Sequence, residues 1–446
     1  MYLNPTFKKS QSKFLLFLAL FCFSSLYGQE AGNFKAGFGR SNITPLTPQN
    51  LLGYAPRQSN GVRDSLYHKV VVLDDGKKQF YLVATDLGTI APNTYDKAAA
   101  RLKKMFNIDR ADFWWTNTHT HSAPETGPPG VIPLFLGDRY EVKHNEAYAQ
   151  YVEDQLVEAV RLARKNLSAA RLGVGWGFSR ANINRRARGV DNKTFLGENP
   201  DAPVDNRIGL LRIDHANGKP MAIVANYAIH GTVLASTDVR ISGDVPGEVA
   251  QYVEEQAGAP LLFVNGALGN IAPRFSISVN NTGNKDGQLR QFRKLLGEPI
   301  LEASRKITAT TGQVRLNTTG INIETPRRAD IKTWPDDLKA YARTSSTGQN
   351  LIRMPVQFLR INDDIMFWSA PCELFCEVSN EIRNNSPFAY TFYSGITNGT
   401  FGYLCTEDEI KLGGYEPMVS PFSPAAAVDL AEGVSRHLEE ISRQKK

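Results

Sequence analysis

Residues 114–122 read WWTNTHTHS, and this stretch places two histidines just past a β-type segment. In an extended segment, residues two apart face the same side, so His119 and His121 are expected to share a face while Thr120 turns away. One imidazole of such a pair can bind a metal ion while the other meets a substrate. Because a bare H-x-H is also common at polar strand ends, the pair indicates a metal site only if the chain supplies partners.

The segments before this stretch predict a strand, helix, strand unit. Residues 69–73 and 79–85 are rich in β-branched and apolar side chains and flank the turn DDG at residues 74–76. Residues 95–106 have helical spacing and lead into a strand over residues 112–116. The histidines therefore come just after the carboxyl end of a strand, where ligands of open α/β sheets tend to collect.

The rest of the chain predicts an α/β fold, with a mixed sheet core, flanking helices and one large catalytic domain over residues 30–446. Further strands are expected at residues 208–214, 220–227, 261–264, 314–323, 355–361 and 365–368. Further helices are expected at residues 146–166, 247–256, 288–307, 373–383 and 428–441. Long active-site loops rich in Gly, Pro and Asn are expected at residues 122–139, 181–206 and 395–426, because loops of that length usually carry function.

The first 29 residues resemble a secretory signal peptide. Three lysines precede an apolar run at residues 14–23, and small residues follow it. We therefore expect export to the periplasm or out of the cell. The run is too short to span a bilayer comfortably and no second one follows, so no transmembrane segment is predicted.

Charge and cysteine content exclude two classes of protein. Loss of residues 1–29 lowers the count of lysines and arginines from 51 to 48 against 45 acidic residues, a net charge of +3 that is too weak to indicate nucleic-acid binding. The remaining cysteines, Cys372, Cys376 and Cys405, allow at most one disulfide, so they are not a disulfide scaffold. Cys372 and Cys376 are expected one turn apart on a helix, and the pairing stays open.

A third histidine repeats the strand-end position. His230 lies in NYAIHGT at residues 226–232, and Gly231 after it lets backbone or substrate approach closely. A lone histidine after an apolar strand is more often a satisfied core or surface residue. Here only seven histidines exist and three of them end strands in this way, which favours a functional role.

Two imidazoles need an anionic ligand to complete a zinc site, with one position left open for water in a catalytic centre. Glu373 in SAPCE, residues 369–373, follows a predicted strand and is a candidate. The same carboxylate is also explained by the first turn of a helix, where acidic residues are favourable.

Seven motifs occur in the order found in the neutral/alkaline non-lysosomal ceramidases, which this chain resembles. They are THTHS (118–122), NINR (182–185), NYAIHGT (226–232), SGD (242–244), GNIAP (269–273), PCE (371–373) and GYE (414–416). The resemblance covers about residues 35–440, the catalytic domain of the family, and we expect the family's immunoglobulin-like domain to be absent after it.

The resemblance implies one zinc ion with four protein ligands. These are the imidazoles of His119 and His230, the carboxylate of Glu373 and a phenolate-type ligand, Tyr415. Zinc in such a site lowers the pKa of a bound water toward neutrality, which supplies hydroxide to attack a carbonyl.

Three further roles follow from the resemblance. His121 is expected to face the scissile amide and to stabilise the oxyanion or protonate the leaving group. Arg185 is expected to line the substrate site. Asp244 is a candidate for orienting a ligand histidine without binding the metal itself.

The chain differs from the family at positions where ceramidases contact their substrate. Ceramidases carry GDVSPN where this chain has GNIAPR at residues 269–274, so Ala272 replaces the family serine and Arg274 replaces a neutral amide. Any activity must then rest on metal-bound water, and the guanidinium favours an anionic substrate. No tyrosine follows Tyr415, so a family substrate-contact tyrosine is missing.

The sequence therefore predicts an exported zinc-dependent hydrolase that cleaves an amide or ester of a polar or glycan-derived substrate. Arg185, Arg186, Arg188 and Arg274 support a polar substrate, although a solvated loop explains such a cluster equally well. Two alternatives stay open: a neutral ceramidase that cleaves N-acyl-sphingosine with zinc alone, and a non-catalytic binding protein on the same fold. The expected partner is a small-molecule, lipid or glycan substrate.

Overall fold

The computed structural model describes residues 32–54, 56–128, 130–136, 144–234, 236–277 and 283–444. The predicted signal peptide lies outside the described residues. The strands are β1 (Lys35–Asn42), β2 (Tyr67–Asp74), β3 (Gln79–Thr85), β4 (Phe113–Asn117), β5 (Ser168–Phe178), β6 (Asn182–Arg188), β7 (Thr194–Asn199), β8 (Arg207–His215), β9 (Pro220–Tyr227), β10 (Leu261–Asn265), β11 (Ile271–Pro273), β12 (Leu316–Pro326), β13 (Ala342–Thr344), β14 (Asn350–Ile361), β15 (Ile365–Ser369), β16 (Glu373–Leu374), β17 (Tyr390–Ser394) and β18 (Tyr403–Leu404). The helices are α1 (Pro92–Phe106), α2 (Pro133–Leu136), α3 (Glu146–Lys165), α4 (Asp244–Ala257), α5 (Lys285–Phe292), α6 (Glu298–Lys306), α7 (Cys376–Asn384), α8 (Glu407–Lys411), α9 (Tyr415–Met418) and α10 (Ala426–Arg443).

Two large sheets form the centre of the fold. One has eight strands in the order β10-β9-β8-β5-β1-β2-β3-β4, and the other has the order β12-β14-β15-β17, with β13 beside β14. Apolar side chains of both sheets form one buried cluster, which includes Leu82, Trp114 and Phe367. The prediction of a mixed α/β sheet core with flanking helices is therefore confirmed.

Helices cover the outer faces of both sheets. Trp114 and its neighbour Trp115 point to opposite faces of β4, as the period of two in a strand requires. Trp114 faces the second sheet, whereas Trp115 packs in the cluster formed with α1 and α3. On the far face of the second sheet, α7 and α10 pack against β14 and β15.

The edge strands of the eight-stranded sheet come together. β4 and β10 lie at opposite ends of the strand order yet are in contact. The Nδ2 atom of Asn265, at the end of β10, donates a hydrogen bond to the carbonyl oxygen of Thr118, just past β4, at 2.7 Å. Because β10 runs parallel to β9, the chain segments that follow β4 and β9 meet at the same end of the sheet.

Two predicted helices differ from the structure. The helix expected over residues 288–307 is α5 and α6 with a π-helical turn, Arg293–Gly297, between them. Pro299 in the first turn of α6 cannot donate a backbone hydrogen bond, which accounts for the break. The helix expected from Glu373 begins at Cys376 instead, because Glu373 pairs with Tyr403 in the short parallel sheet β16-β18. The helix-terminus explanation of Glu373 is therefore wrong.

The prediction of a long loop over residues 181–206 is wrong, because β6 and β7 form an antiparallel pair there. Cys372 and Cys376 do not share a helix, and the three described cysteines are buried and free. Among the described residues, no helix combines the length and the apolar character needed to cross a bilayer.

Candidate metal centre

Backbone pairing locks the two histidine-bearing strand ends together. Thr120 forms a parallel bridge with Gly231. The amide of His121 donates to the carbonyl oxygen of Gly231 at 2.9 Å, and the amide of Gly231 donates to the carbonyl oxygen of His119 at 3.1 Å. The side chains of His119 and His230 are thus brought together by main-chain contacts.

Gly231 is required by this close approach. A Cβ at this position would lie 2.7 Å from Cα of Thr120 and 2.9 Å from the carbonyl oxygen of His119, closer than real Cβ contacts. The sequence prediction that Gly231 allows backbone to approach is confirmed.

We expect Gly231→Ala to destabilise the fold by about 1–3 kcal/mol, as overpacking of a tight contact does, and to separate the two histidines. Denaturant unfolding and the metal affinity of the folded variant measure these effects. Gly61→Ala is the matched control, because a Cβ at Gly61 meets nothing within 4 Å. Equal stability of the two variants would contradict the role given to Gly231.

His119 does not lie in extended backbone, so the predicted reason for its pairing with His121 is wrong. Its φ is 60°, in the left-handed region that non-glycine residues adopt at a cost of order 1–3 kcal/mol. The strand ends at Asn117 and the chain turns at His119. The imidazoles nevertheless meet, with the two Nε2 atoms 3.4 Å apart.

Backbone carbonyls fix the tautomer of two imidazoles. Nδ1 of His119 lies 2.8 Å from the carbonyl oxygen of Gly88, and Nδ1 of His230 lies 2.7 Å from that of Ile271. A carbonyl oxygen can only accept, so each Nδ1 carries a proton, and the neutral form of each ring has its lone pair at Nε2. Burial, and then the charge of Arg185, lowers the pKa of His230 to about 3, so this ring is neutral at ordinary pH.

Nε2 of both imidazoles lies near one carboxylate oxygen. Oε2 of Glu373 lies 3.3 Å from Nε2 of His119 and 3.4 Å from Nε2 of His230. Because the ring of His230 is neutral, its Nε2 cannot donate to this oxygen, which is a buried atom without a hydrogen-bond partner among the described residues. Three electron-pair donors around a buried point suit a divalent cation such as zinc, which prefers imidazole nitrogen and carboxylate oxygen.

His121 is the third imidazole of the cluster. The ligand atoms of His119, His121 and His230 lie within 4.8 Å of one another, so these three residues form a second candidate ligand set. Burial, reinforced by His119 and His230, lowers the pKa of His121 well below its usual range, so the ring is neutral. The backbone of Gly53 passes so close that a Cβ there would lie 2.4 Å from Nδ1 of His121.

Two tyrosines lie near Glu373. Tyr415, expected from the sequence, is 38% exposed at the start of α9, and its ring contacts that of Tyr403 edge to face. Tyr403 is buried, pairs in register with Glu373, and its hydroxyl accepts a hydrogen bond from Arg185 at 3.1 Å. The sequence prediction missed Tyr403, since a strand of two residues carries no periodic signal.

Three of the four arginines in the predicted cluster are ion-paired on strand β6 and are not free cations in a solvated loop. Arg185 and Arg186 are buried and share the carboxylate of Glu416. Arg186 and Arg188 also pair with Glu409. These partners remove most of the support that the cluster gave to an anionic substrate.

Three predicted residues lie elsewhere than expected. The carboxylate of Asp244 accepts backbone hydrogen bonds from Val233 and Leu234 and therefore fixes the loop after His230 without contacting a ligand imidazole. Ala272 is buried in β11, paired with Ile183, and the guanidinium of Arg274 stacks over Phe275. A pocket lies beside His119 and His121, and neither Ala272 nor Arg274 is among the described residues that line it.

A pocket of about 270 Å³ opens beside the histidines. His119, His121 and Glu373 line it together with Tyr403 and Tyr415. Most of its wall is apolar, with side chains that include Leu51, Leu52, Ile90, Val131, Ile132, Phe135 and Val419. The pocket can therefore hold the apolar part of a ligand against its wall while a polar group of that ligand contacts the histidines and Glu373.

Comparison with known proteins identifies the family. The model of the neutral/alkaline non-lysosomal ceramidase N-terminal domain matches residues 34–276. The neutral ceramidase of Pseudomonas aeruginosa is 24% identical over 287 residues, which cover 58% of this chain and 41% of the relative. Neutral ceramidase B of Dictyostelium discoideum is 28% identical over 238 residues, which cover 51% of this chain and 32% of the relative. The chain thus matches less than half the length of these relatives.

The fold agrees with this assignment. The crystal structure of the Pseudomonas aeruginosa neutral ceramidase superposes with a TM-score of 0.74 at 17% identity, covering 92% of this chain and 75% of that chain. Because the family match spans more than half of the residues, the chain belongs to the neutral/alkaline non-lysosomal ceramidase family of hydrolases.

Proposed function

We propose that this protein is an exported, zinc-dependent hydrolase that attacks an amide or ester carbonyl. The observation that carries the proposal is the convergence of two Nε2 atoms, those of His119 and His230, on one buried oxygen of Glu373. The signal-like first 29 residues support export to the periplasm or beyond.

In this proposal His119, His230 and Glu373 hold one zinc ion, and a tyrosine completes the site. When bound, the ion would polarise a carbonyl and lower the pKa of a water toward neutrality. His121 stands beside the ligands as a neutral ring. It can take the proton of the attacking water and deliver it to the leaving amine or alkoxide, as a general base and then a general acid.

The pocket wall favours a substrate with an apolar chain over the polar, glycan-derived one that the sequence predicted. Three of the four arginines that supported a polar substrate, Arg185, Arg186 and Arg188, are paired with Glu416 and Glu409. Apolar side chains cover most of the pocket beside the histidines. The function proposed first is thus hydrolysis of an amide or ester that carries an apolar chain. Cleavage of N-acyl-sphingosine, the substrate class suggested by the names of the relatives, is the second candidate. A non-catalytic binding protein is the third.

A chain-length series with and without chelator tests the proposal. We expect chelator to abolish hydrolysis and zinc to restore it. From acetyl to dodecanoyl amides and esters, kcat/KM should rise about fourfold for each methylene that the pocket buries, since each contributes about 0.8 kcal/mol. Turnover that ignores chelator would contradict the zinc proposal, and faster cleavage of N-acetylated sugars than of long acyl chains would restore the polar substrate. Zinc bound without turnover of any substrate would favour the binding protein.

Single substitutions show which of the two tyrosines, Tyr403 or Tyr415, is the phenolic ligand. We expect Tyr403→Phe to weaken zinc binding about tenfold or more, because Tyr403 is buried beside Glu373. Tyr415→Phe, at a partly exposed position, should have the smaller effect. Zinc dissociation constants from competition with a chromophoric chelator measure both, and the reverse order would assign the phenol to Tyr415.

A further inference from the structure

Glu416 lies at the centre of a buried ion cluster. Its side chain is 1% exposed. Oε1 accepts from Nε of Arg185 at 2.8 Å, and Oε2 accepts from Nη1 of Arg186 at 2.6 Å. One carboxylate therefore holds two adjacent guanidinium groups away from water.

The remaining N–H groups of Arg185 reach into the metal centre. Nη1 lies 3.0 Å from Nε2 of His230, and Nη2 donates to the carbonyl oxygen of Gly269 at 2.9 Å and to the hydroxyl of Tyr403. Since Nε2 of His230 has one lone pair, the guanidinium and a metal ion compete for it.

A second carboxylate attracts the same cation. The charge of Glu373 acts on Arg185 as well as that of Glu416. A guanidinium is planar and pairs readily with a carboxylate, and the pair is strong where water is excluded. If Arg185 turned to Glu373, it would occupy the oxygen that the proposed metal needs.

We propose that Glu416 is a positioning residue that holds Arg185 away from Glu373 and so sets the metal affinity of the site. This inference rests on the proposed zinc site. Glu416 acts through Arg185 and does not itself contact the histidines or Glu373 in the described hydrogen bonds and ion pairs.

Zinc affinity of the full-length chain tests the inference, with Glu409→Gln as the matched control. Glu409 belongs to the same ion cluster but pairs with Arg186 and Arg188. We expect Glu416→Gln to weaken zinc binding about 10- to 100-fold, as loss of a supporting partner does, whereas Glu409→Gln leaves it near the wild-type value. Thermal unfolding checks that both variants fold, and the cobalt(II) absorption spectrum reports the ligand geometry.

A double-mutant cycle separates positioning from a merely structural role. In an Arg185→Met background, Glu416→Gln should have no further effect on zinc affinity, because the competing guanidinium is gone. An equal loss in both backgrounds, or an equal loss in Glu416→Gln and Glu409→Gln, overturns the inference. If Glu416→Gln fails to fold, Glu416→Asp, which keeps the charge but shortens the reach, should show an intermediate loss, and unchanged affinity there overturns it.

The same measurements distinguish this inference from the proposed function. A wild-type chain that binds neither zinc nor cobalt overturns the proposed function and the inference with it. A wild-type chain that binds zinc as tightly as Glu416→Gln does overturns the inference alone.

Discussion

His119→Ala is expected to abolish zinc binding and to lower kcat/KM by at least about a thousandfold, more than the 10- to 100-fold that loss of an outer partner costs. Nδ1 of this imidazole donates to the carbonyl oxygen of Gly88, and its Nε2 lies 3.3 Å from Oε2 of Glu373. Removing it leaves one histidine, one carboxylate and the tyrosine, one ligand fewer than a tetrahedral zinc site needs. Bound zinc and steady-state hydrolysis of a long-chain amide measure the two effects.

His215→Ala is the control for loss of an imidazole as such. His215 is exposed at the end of β8, away from the cluster. Wild-type zinc content and turnover are expected for this variant. If His119→Ala matched it in both, His119 would not be a ligand.

His121→Gln is expected to keep the zinc and to lower kcat by about 10²- to 10⁴-fold, the usual contribution of a general acid or base. The ring lies beside His119 and is neutral because burial lowers its pKa well below the usual range. Glutamine retains a hydrogen-bonding group of similar reach but cannot accept and return a proton. Since the proton transfer affects the chemical step, KM should change little.

Zinc content of His121→Gln decides between the two candidate ligand sets. If this variant loses its zinc while Glu373→Gln retains it, the three imidazoles are the ligands and His121 is not the proton carrier. If it keeps zinc and wild-type kcat, the general acid and base role is wrong.

Most of the fold could be predicted because the large sheets follow simple patterns. β2, β3, β4 and β9 are buried on both faces and form short, largely apolar runs. The expectation that strand ends carry the chemistry also led to His119 and His230.

The parts that were missed are polar and non-local. The buried side of β6 is satisfied by Glu416 and Glu409, more than 200 residues away, so its polar sequence resembles a loop. Glu373 looked like a helix terminus because its partner strand, β18, has only two residues. The left-handed turn at His119 is held by main-chain contacts with Leu87 and Gly231, which no local pattern records.

The family resemblance implied roles for Tyr415 and Asp244 that the contacts in the structure do not simply repeat. Tyr415 was expected as the phenol, and Tyr403, which lies in register with Glu373, is a second candidate for that role. Asp244 fixes backbone instead of an imidazole, since its oxygens are taken by the amides of Val233 and Leu234. Motif order thus identifies a family more reliably than it assigns each side chain.

Zinc content of the purified chain tests the central claim most directly. After zinc loading and dialysis against metal-free buffer, elemental analysis should find one zinc ion per wild-type chain and none in Glu373→Gln, because Glu373 supplies the one anionic oxygen on which both histidines converge. Wild-type protein without zinc, or Glu373→Gln with as much zinc as the wild type, would contradict the account.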